Sequence, residues 1–108
     1  GELDNEIKYF YNHNVHNHKD SNFLYKKSSQ SLFQFLIKEL KIKNKWSSDE
    51  LKILISKTTN ELGLKGKDFF FPIRLAIYGE CKGPDIPLIY HVLGHKEIIS
   101  RLESVIRK

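Results

Sequence analysis

Cysteine occurs once, at Cys81, methionine is absent, and arginine is confined to Arg74, Arg101 and Arg107 among 18 cations. A lone thiol closes no internal disulfide and supplies no thiolate cluster for a metal, so neither a cystine scaffold nor a zinc ribbon is open to the chain. A reducing compartment fits. No apolar run approaches the ~18 residues that cross a bilayer, and the opening GELDNE lacks the basic-then-apolar layout of a secretory leader. The expectation is a soluble, cytoplasmic protein with no membrane partner. Gly1 at the start, with no methionine anywhere, reads as a piece cut from a longer polypeptide. Catalytic groupings are missing as well: no nucleophile sits beside a base, no glycine-rich loop is spaced for phosphate, and no carboxylates pair convincingly. With lysine the default cation, each arginine marks a place where planar, two-pronged geometry is worth explaining.

What is present is one domain's worth of chain, 108 residues with 40% apolar and 29% charged side chains and a net charge of +5. Such a length suits a binding module better than an enzyme with its own cofactor site. The charge is blocked: residues 1–18 carry one lysine against three acids, and residues 19–45 carry seven lysines against two. Residues 46–64 sum to −1 and residues 65–108 to +3. Basic blocks attract polyanions by releasing condensed counterions, which makes nucleic acid a candidate partner. Lysines that merely solvate helix faces are the alternative.

The apolar spacing predicts helices throughout. Leu3, Ile7, Phe10 and Tyr11 mark a short one over 3–11, and NHNVHNHKDSN, 12–22, reads as a loop. A helix over 28–42 opens on serine caps and aligns Leu32, Phe33, Leu36, Ile37 and Leu40. WSSDEL carries a capping box, Ser47 with Glu50, and a staple of Trp46 with Leu51; Gly63 closes that helix in the left-handed conformation. Pro72 suits a first helical turn and Gly79 a stop. Pro87 opens PLIYHVLG with Leu88, Val92 and Leu93 inward, and a last helix spans 95–107. RLAIYG has strand-like composition, but no other segment offers it a partner strand. The fold expected is all-α, a compact bundle of about six helices, with a helical part at 1–64 and a C-terminal subdomain at 65–108.

Among motifs, His13, His16 and His18 crowd one loop, yet their spacing fits no helix face and only Asp20 is near, so a solvated loop is the reading and no metal is expected. His91 and His95 flank a glycine at a helix junction and read as capping or surface groups. Arg101 follows Glu97 by four residues, which an intrahelical ion pair explains, and Cys81 reads as an inert loop thiol. Arg74 stands apart. On a helix it shares a face with Tyr78 next to the loop after Gly79, where a guanidinium can stack on an unpaired base and donate two bonds to its edge. The competing reading is a structural arginine that caps a helix or pairs with Asp85 or Glu80. Lys65, Lys67 and Lys82 border the region, either meeting phosphates or lying on the surface.

The stretch GKDFFFPIRLAIYGECKGPDIPLIYHVLGHKEIISRLE resembles the C-terminal end of bacterial glutamyl-tRNA synthetases. Pro72, Arg74, Gly79, Gly83-Pro84, Leu93-Gly94 and Arg101-Leu102-Glu103 carry the match, strongest over 65–108, with Ile73 in place of the usual leucine and Tyr78 where threonine is common. The resemblance implies an all-helical anticodon-binding domain of a class I synthetase, whose parent enzyme attaches glutamate to its tRNA with ATP and magnesium. The HIGH and KMSKS motifs of that catalytic domain are absent, so this segment is expected to be inactive alone, with no cofactor of its own. By the same resemblance Arg74 and the Gly83, Pro84 and Ile86 loop approach the anticodon bases, with Tyr78 available to stack and Lys65, Lys67 and Lys82 to hold the backbone. The expected partner is tRNA for glutamate, with glutamine tRNA open, bound by a monomer. The rival reading is a helical protein-interaction module docking through Phe69, Phe70 and Phe71.

Overall fold

The computed structural model describes residues 18–107, which form six helices and no strand: α1 (Asn22–Tyr25), α2 (Lys27–Leu40), α3 (Ser48–Leu62), α4 (Lys67–Tyr78), α5 (Ile86–Leu93) and α6 (His95–Ser104). The helix expected over 3–11, and with it His13 and His16, lies outside the described residues. The all-α expectation holds, and RLAIYG is helical. Among the described residues no helix is long and apolar enough to cross a membrane.

Helix α2 is the central element, packed against α1, α3, α4 and α6, and it buries Leu32, Phe33, Leu36 and Leu40. Its start differs from expectation: it begins at Lys27, the Lys26 N-cap makes no side-chain bond, and Ser29 is buried inside rather than capping. A short turn of helix, α1, precedes it between the loop expected over 12–22 and the helix expected from 28, because burying Leu24 completely requires the chain to fold back there. Gln30 fastens that turn to the far end of the chain. Its Nε2 donates to the Leu24 and Val105 carbonyls at 2.7 and 2.9 Å, and its Oε1 accepts from the Arg107 N–H at 2.7 Å.

Helix α3 forms as its ends dictate. Ser47 Oγ accepts from the Glu50 N–H at 3.2 Å, while Glu50 Oε1 accepts from the Ser47 N–H at 2.9 Å, and Gly63 ends the helix at φ 65°. Trp46 and Leu51, before and after the box, are both buried. Helix α4 starts five residues earlier than its proline suggested. Gly66, at φ 61°, turns the chain, its carbonyl accepts from the Phe69 and Phe70 N–H groups, and Pro72 sits in the helix interior. The missing N–H there leaves the carbonyl of exposed Asp68 to water, a cost that solvation offsets, while the earlier start delivers Phe69 to the centre of the core at 0% exposure.

Helix α5 rotates away from its expected face. Ile89 and Tyr90 are buried, whereas Leu88 and Val92 stand 55% and 63% exposed. In IPLIYHVL almost every position is apolar, so the string alone admits several faces, and packing against α3, α4 and α6 selects one.

Candidate nucleic-acid interface

Two turns of α4 carry the candidate site. Phe70, Arg74 and Tyr78 recur every fourth residue on one stripe, and Gly79, at φ 94°, reverses the chain so that the 80–85 loop passes back over that stripe. Arg74 Nε donates to the Pro84 carbonyl at 3.0 Å, and its guanidinium carbon lies 5.3 Å from the centroid of the Phe70 ring. The arginine is therefore held from two sides, by a loop carbonyl and by an aromatic face. It makes no ion pair with Asp85 or Glu80 among the described residues; Glu80 instead accepts from His18 Nε2 at 2.8 Å. Nη1 and Nη2 have no hydrogen-bonded partner among the described residues.

Arg74 also lines a surface cleft of about 370 Å³, together with Phe70, Ile86, Pro87 and, from α3, Lys52, Ile55 and Ser56, with Asp85 at the loop side. Apolar walls and one forked donor suit a flat ring with polar edges. Lys52 is exposed on the opposite lip. The cleft thus unites Arg74 with Ile86 directly and with Pro84 through its carbonyl. Tyr78 and Gly83 lie behind this arrangement: a methyl at Gly83 would fall 2.6 Å from Tyr78 Cε2, so the tyrosine ring is packed under the glycine. Lys65 and Lys82 are exposed, and Lys67 is exposed with its Nζ 6.0 Å from the Phe71 ring; none of the three lines the cleft.

Lys52, Ile55, Ser56, Phe70 and Pro87 were not among the expected site residues. Phe70 is one turn before Arg74 and was legible by spacing; the α3 residues arrive by tertiary packing, for which the sequence holds only the weak signal of a shared outer helix face at i, i+3 and i+4. Only part of the aromatic run reaches the surface. Phe69 is fully buried, Phe70 lies under Arg74, and Phe71 packs edge-on against Phe23 at 5.6 Å.

The other singled-out groups have structural partners. Arg101 does more than pair with Glu97 (3.6 Å), since its Nη1 donates to the Ile77 carbonyl at 3.0 Å and so caps the end of α4 from α6. Cys81 is buried, and burial together with the nearby Asp20 carboxylate pushes its thiol up to about 11, leaving it protonated and unreactive at neutral pH. His18 Nδ1 accepts from the Asp20 N–H at 3.0 Å, and among the described residues no group of three or more His, Cys, Asp and Glu converges as metal ligands would.

A family model for the anticodon binding domain matches residues 1–106. The chain is 39% identical over 67 residues to glutamate–tRNA ligase 2 of Caldanaerobacter subterraneus subsp. tengcongensis, a stretch covering 62% of this chain and 14% of that protein. It is 35% identical over 75 residues to a glutamate–tRNA ligase of Staphylococcus xylosus, covering 69% of this chain and 62% of that sequence. Against the glutamate–tRNA ligase of Listeria monocytogenes serotype 4b it is 39% identical over 67 residues, 62% of this chain and 14% of the relative. The chain thus spans less than two thirds of the length of these relatives. No solved structure matches it.

Proposed function

The chain belongs to the anticodon binding domain family, and we propose that it is the tRNA-reading segment of a glutamate–tRNA ligase, in which Arg74 contacts an unstacked anticodon base. The parent enzyme would activate glutamate with ATP and magnesium in a separate catalytic domain, as a cytoplasmic monomer. This segment contributes recognition and no chemistry: the 65–108 subdomain supplies the arginine and the loop of the base-facing cleft, and α3 supplies its opposite wall. Glutamate tRNA is the partner, with glutamine tRNA a second substrate if the pocket tolerates its anticodon.

The observation that carries the reading is the fixed guanidinium. Anticodon bases can be splayed out of their stack, and proteins read them by stacking and by hydrogen bonds to their edges. Arg74 has one nitrogen anchored to Pro84 and its guanidinium carbon 5.3 Å from the Phe70 ring centroid, so its remaining nitrogens have little entropy left to lose on meeting a base in the cleft that Arg74 lines. Ile86 and Pro87 offer apolar surface for the face of the base. Lys65, Lys67 and Lys82 act on the phosphate backbone and carry no sequence information. The test is binding of anticodon stem-loop RNA with a glutamate anticodon against one with a swapped anticodon. Arg74→Ala should lower affinity for the first by about 1–3 kcal/mol and leave the second nearly unchanged. Equal preference in wild type and variant rejects the role.

A further inference from the structure

A second concave surface lies at the other end of α5. The turn between α2 and α3 and the junction of α5 with α6 border an open hollow of about 620 Å³ lined by Asn44, Leu93, Gly94, His95, Lys96, Glu97 and Ser100. An adjoining hollow of about 300 Å³ adds Lys45, Tyr90 and His91. Its acid is engaged, because Glu97 Oε2 lies 3.6 Å from Arg101 Nε. Its cations are not: Lys45 and Lys96 are exposed and make no ion pair or hydrogen bond among the described residues. Lys43, two residues before Lys45, is by contrast tied to Glu50 and lies over the Trp46 ring at 4.4 Å.

The histidine in this hollow is held through its Nδ1. The Tyr90 hydroxyl accepts from the Trp46 N–H at 3.2 Å and lies 2.7 Å from His95 Nδ1. Burial raises the tyrosine above its ordinary value, and a protonated hydroxyl that already accepts from Trp46 has its own proton to offer to Nδ1. When the hydroxyl donates to Nδ1, the imidazole's own N–H is on Nε2, the ring edge away from Tyr90. Nε2 has no hydrogen-bond partner among the described residues, and His95 lines both hollows.

We propose that this hollow takes a phosphodiester group of the same RNA strand whose base occupies the Arg74 cleft, with Lys45, Lys96 and His95 Nε2–H as its donors. The proposal rests on reading the Arg74 cleft as an RNA site. Pro87 lines the first cleft and His91 the second, one turn apart on α5 and so ~6 Å along the axis at 1.5 Å per residue. A single strand lying along this flank touches both. The division of labour is chemical: the first cleft sets a forked donor among Ile55, Phe70, Ile86 and Pro87, with the single ammonium of Lys52 on its lip, and reads a base, while the second holds two ammonium groups unpaired among the described residues and suits a phosphate.

Two measurements test it. Inorganic phosphate titrated into the protein against chloride at matched ionic strength should move the amide signals of Asn44, Gly94, His95 and Lys96 saturably; flat signals overturn the proposal. In stem-loop RNA binding, Lys45→Gln with Lys96→Gln should lower the slope of log affinity on log salt by ~0.7 for each phosphate no longer neutralised, and weaken glutamate and swapped anticodons equally. Lys27→Gln with Lys38→Gln, on α2 and lining neither cleft, is the control. A slope unchanged by the first pair, or lowered as much by the control, overturns the phosphate site whatever Arg74→Ala does. Failure of the base-reading role appears in a different quantity, the anticodon preference of Arg74→Ala.

Discussion

Gly83→Ala is a small change with a large expected effect. Gly83 has no positive φ, so alanine meets no backbone penalty there and the cost is steric. The added methyl would lie 2.6 and 2.7 Å from Tyr78 Cε2 and Cδ2 and 3.3 Å from Cζ, against ~3.5–4.0 Å for a comfortable carbon contact. An overlap of about 1 Å with two ring atoms has to be relieved by movement. Tyr78 ends α4, and the next residue, Gly79, is buried with its N–H bonded to the Arg74 and Leu75 carbonyls at 3.1 Å, so the helix end is fixed and the strain falls on the Tyr78 ring and the loop that covers it. That loop carries the Pro84 carbonyl on which Arg74 is anchored. Overpacking of this kind costs about 1–3 kcal/mol, measured as a lower urea midpoint at unchanged slope. Tyr78→Ala removes the obstacle, so the double variant should show a coupling of about 1 kcal/mol or more relative to the two single changes. Additivity within ~0.5 kcal/mol would mean that the ring does not set the loop position.

On α5, Ile89→Ala should destabilise by about 2–5 kcal/mol, while Leu88→Lys and Val92→Lys should each stay within ~0.5 kcal/mol; the reverse order in chemical denaturation would place the wrong face inward. Arg101→Ala should cost about 1.5–3 kcal/mol, since it removes a charged donor from the Ile77 carbonyl, and it should speed hydrogen exchange at the end of α4 before other helices respond. Cys81 has a direction in pH. Its thiol is raised from 9.0 to about 11 in the folded state, so the unfolded chain loses that proton first. The stabilisation is complete below pH 9 and lost as pH rises toward 11, with Tyr90 acting in the same sense higher up. Urea midpoints should therefore fall less steeply above pH 9 in Cys81→Ala than in the wild type, and parallel profiles would contradict this.

Local signals and tertiary choices divide what the sequence disclosed. Helix α3 was legible to the residue at both ends because its capping box and left-handed glycine are interactions between near neighbours. Pro72 misled because a proline marks the first turn only when nothing pulls the helix start earlier, and here the core needs Phe69 delivered from a turn beginning at Gly66. The orientation of α5 was unreadable because eight residues with few polar positions define no unique stripe. For the cleft, Arg74 and the glycine-proline loop were visible as a pattern, and the scarcity of arginine singled out the position. Lys52, Ile55 and Ser56 were not, since only the packing of α2 and α5 against α3 brings them to the opposite wall.

Arg74→Lys is the most direct test of the central claim, because it keeps the positive charge and removes the fork. Binding of glutamate-anticodon and swapped-anticodon stem-loops across a salt series gives both quantities at once. The expected result is an unchanged salt slope with anticodon preference reduced to that of Arg74→Ala. Full preference retained by lysine would show that Arg74 contributes charge alone and reads no base.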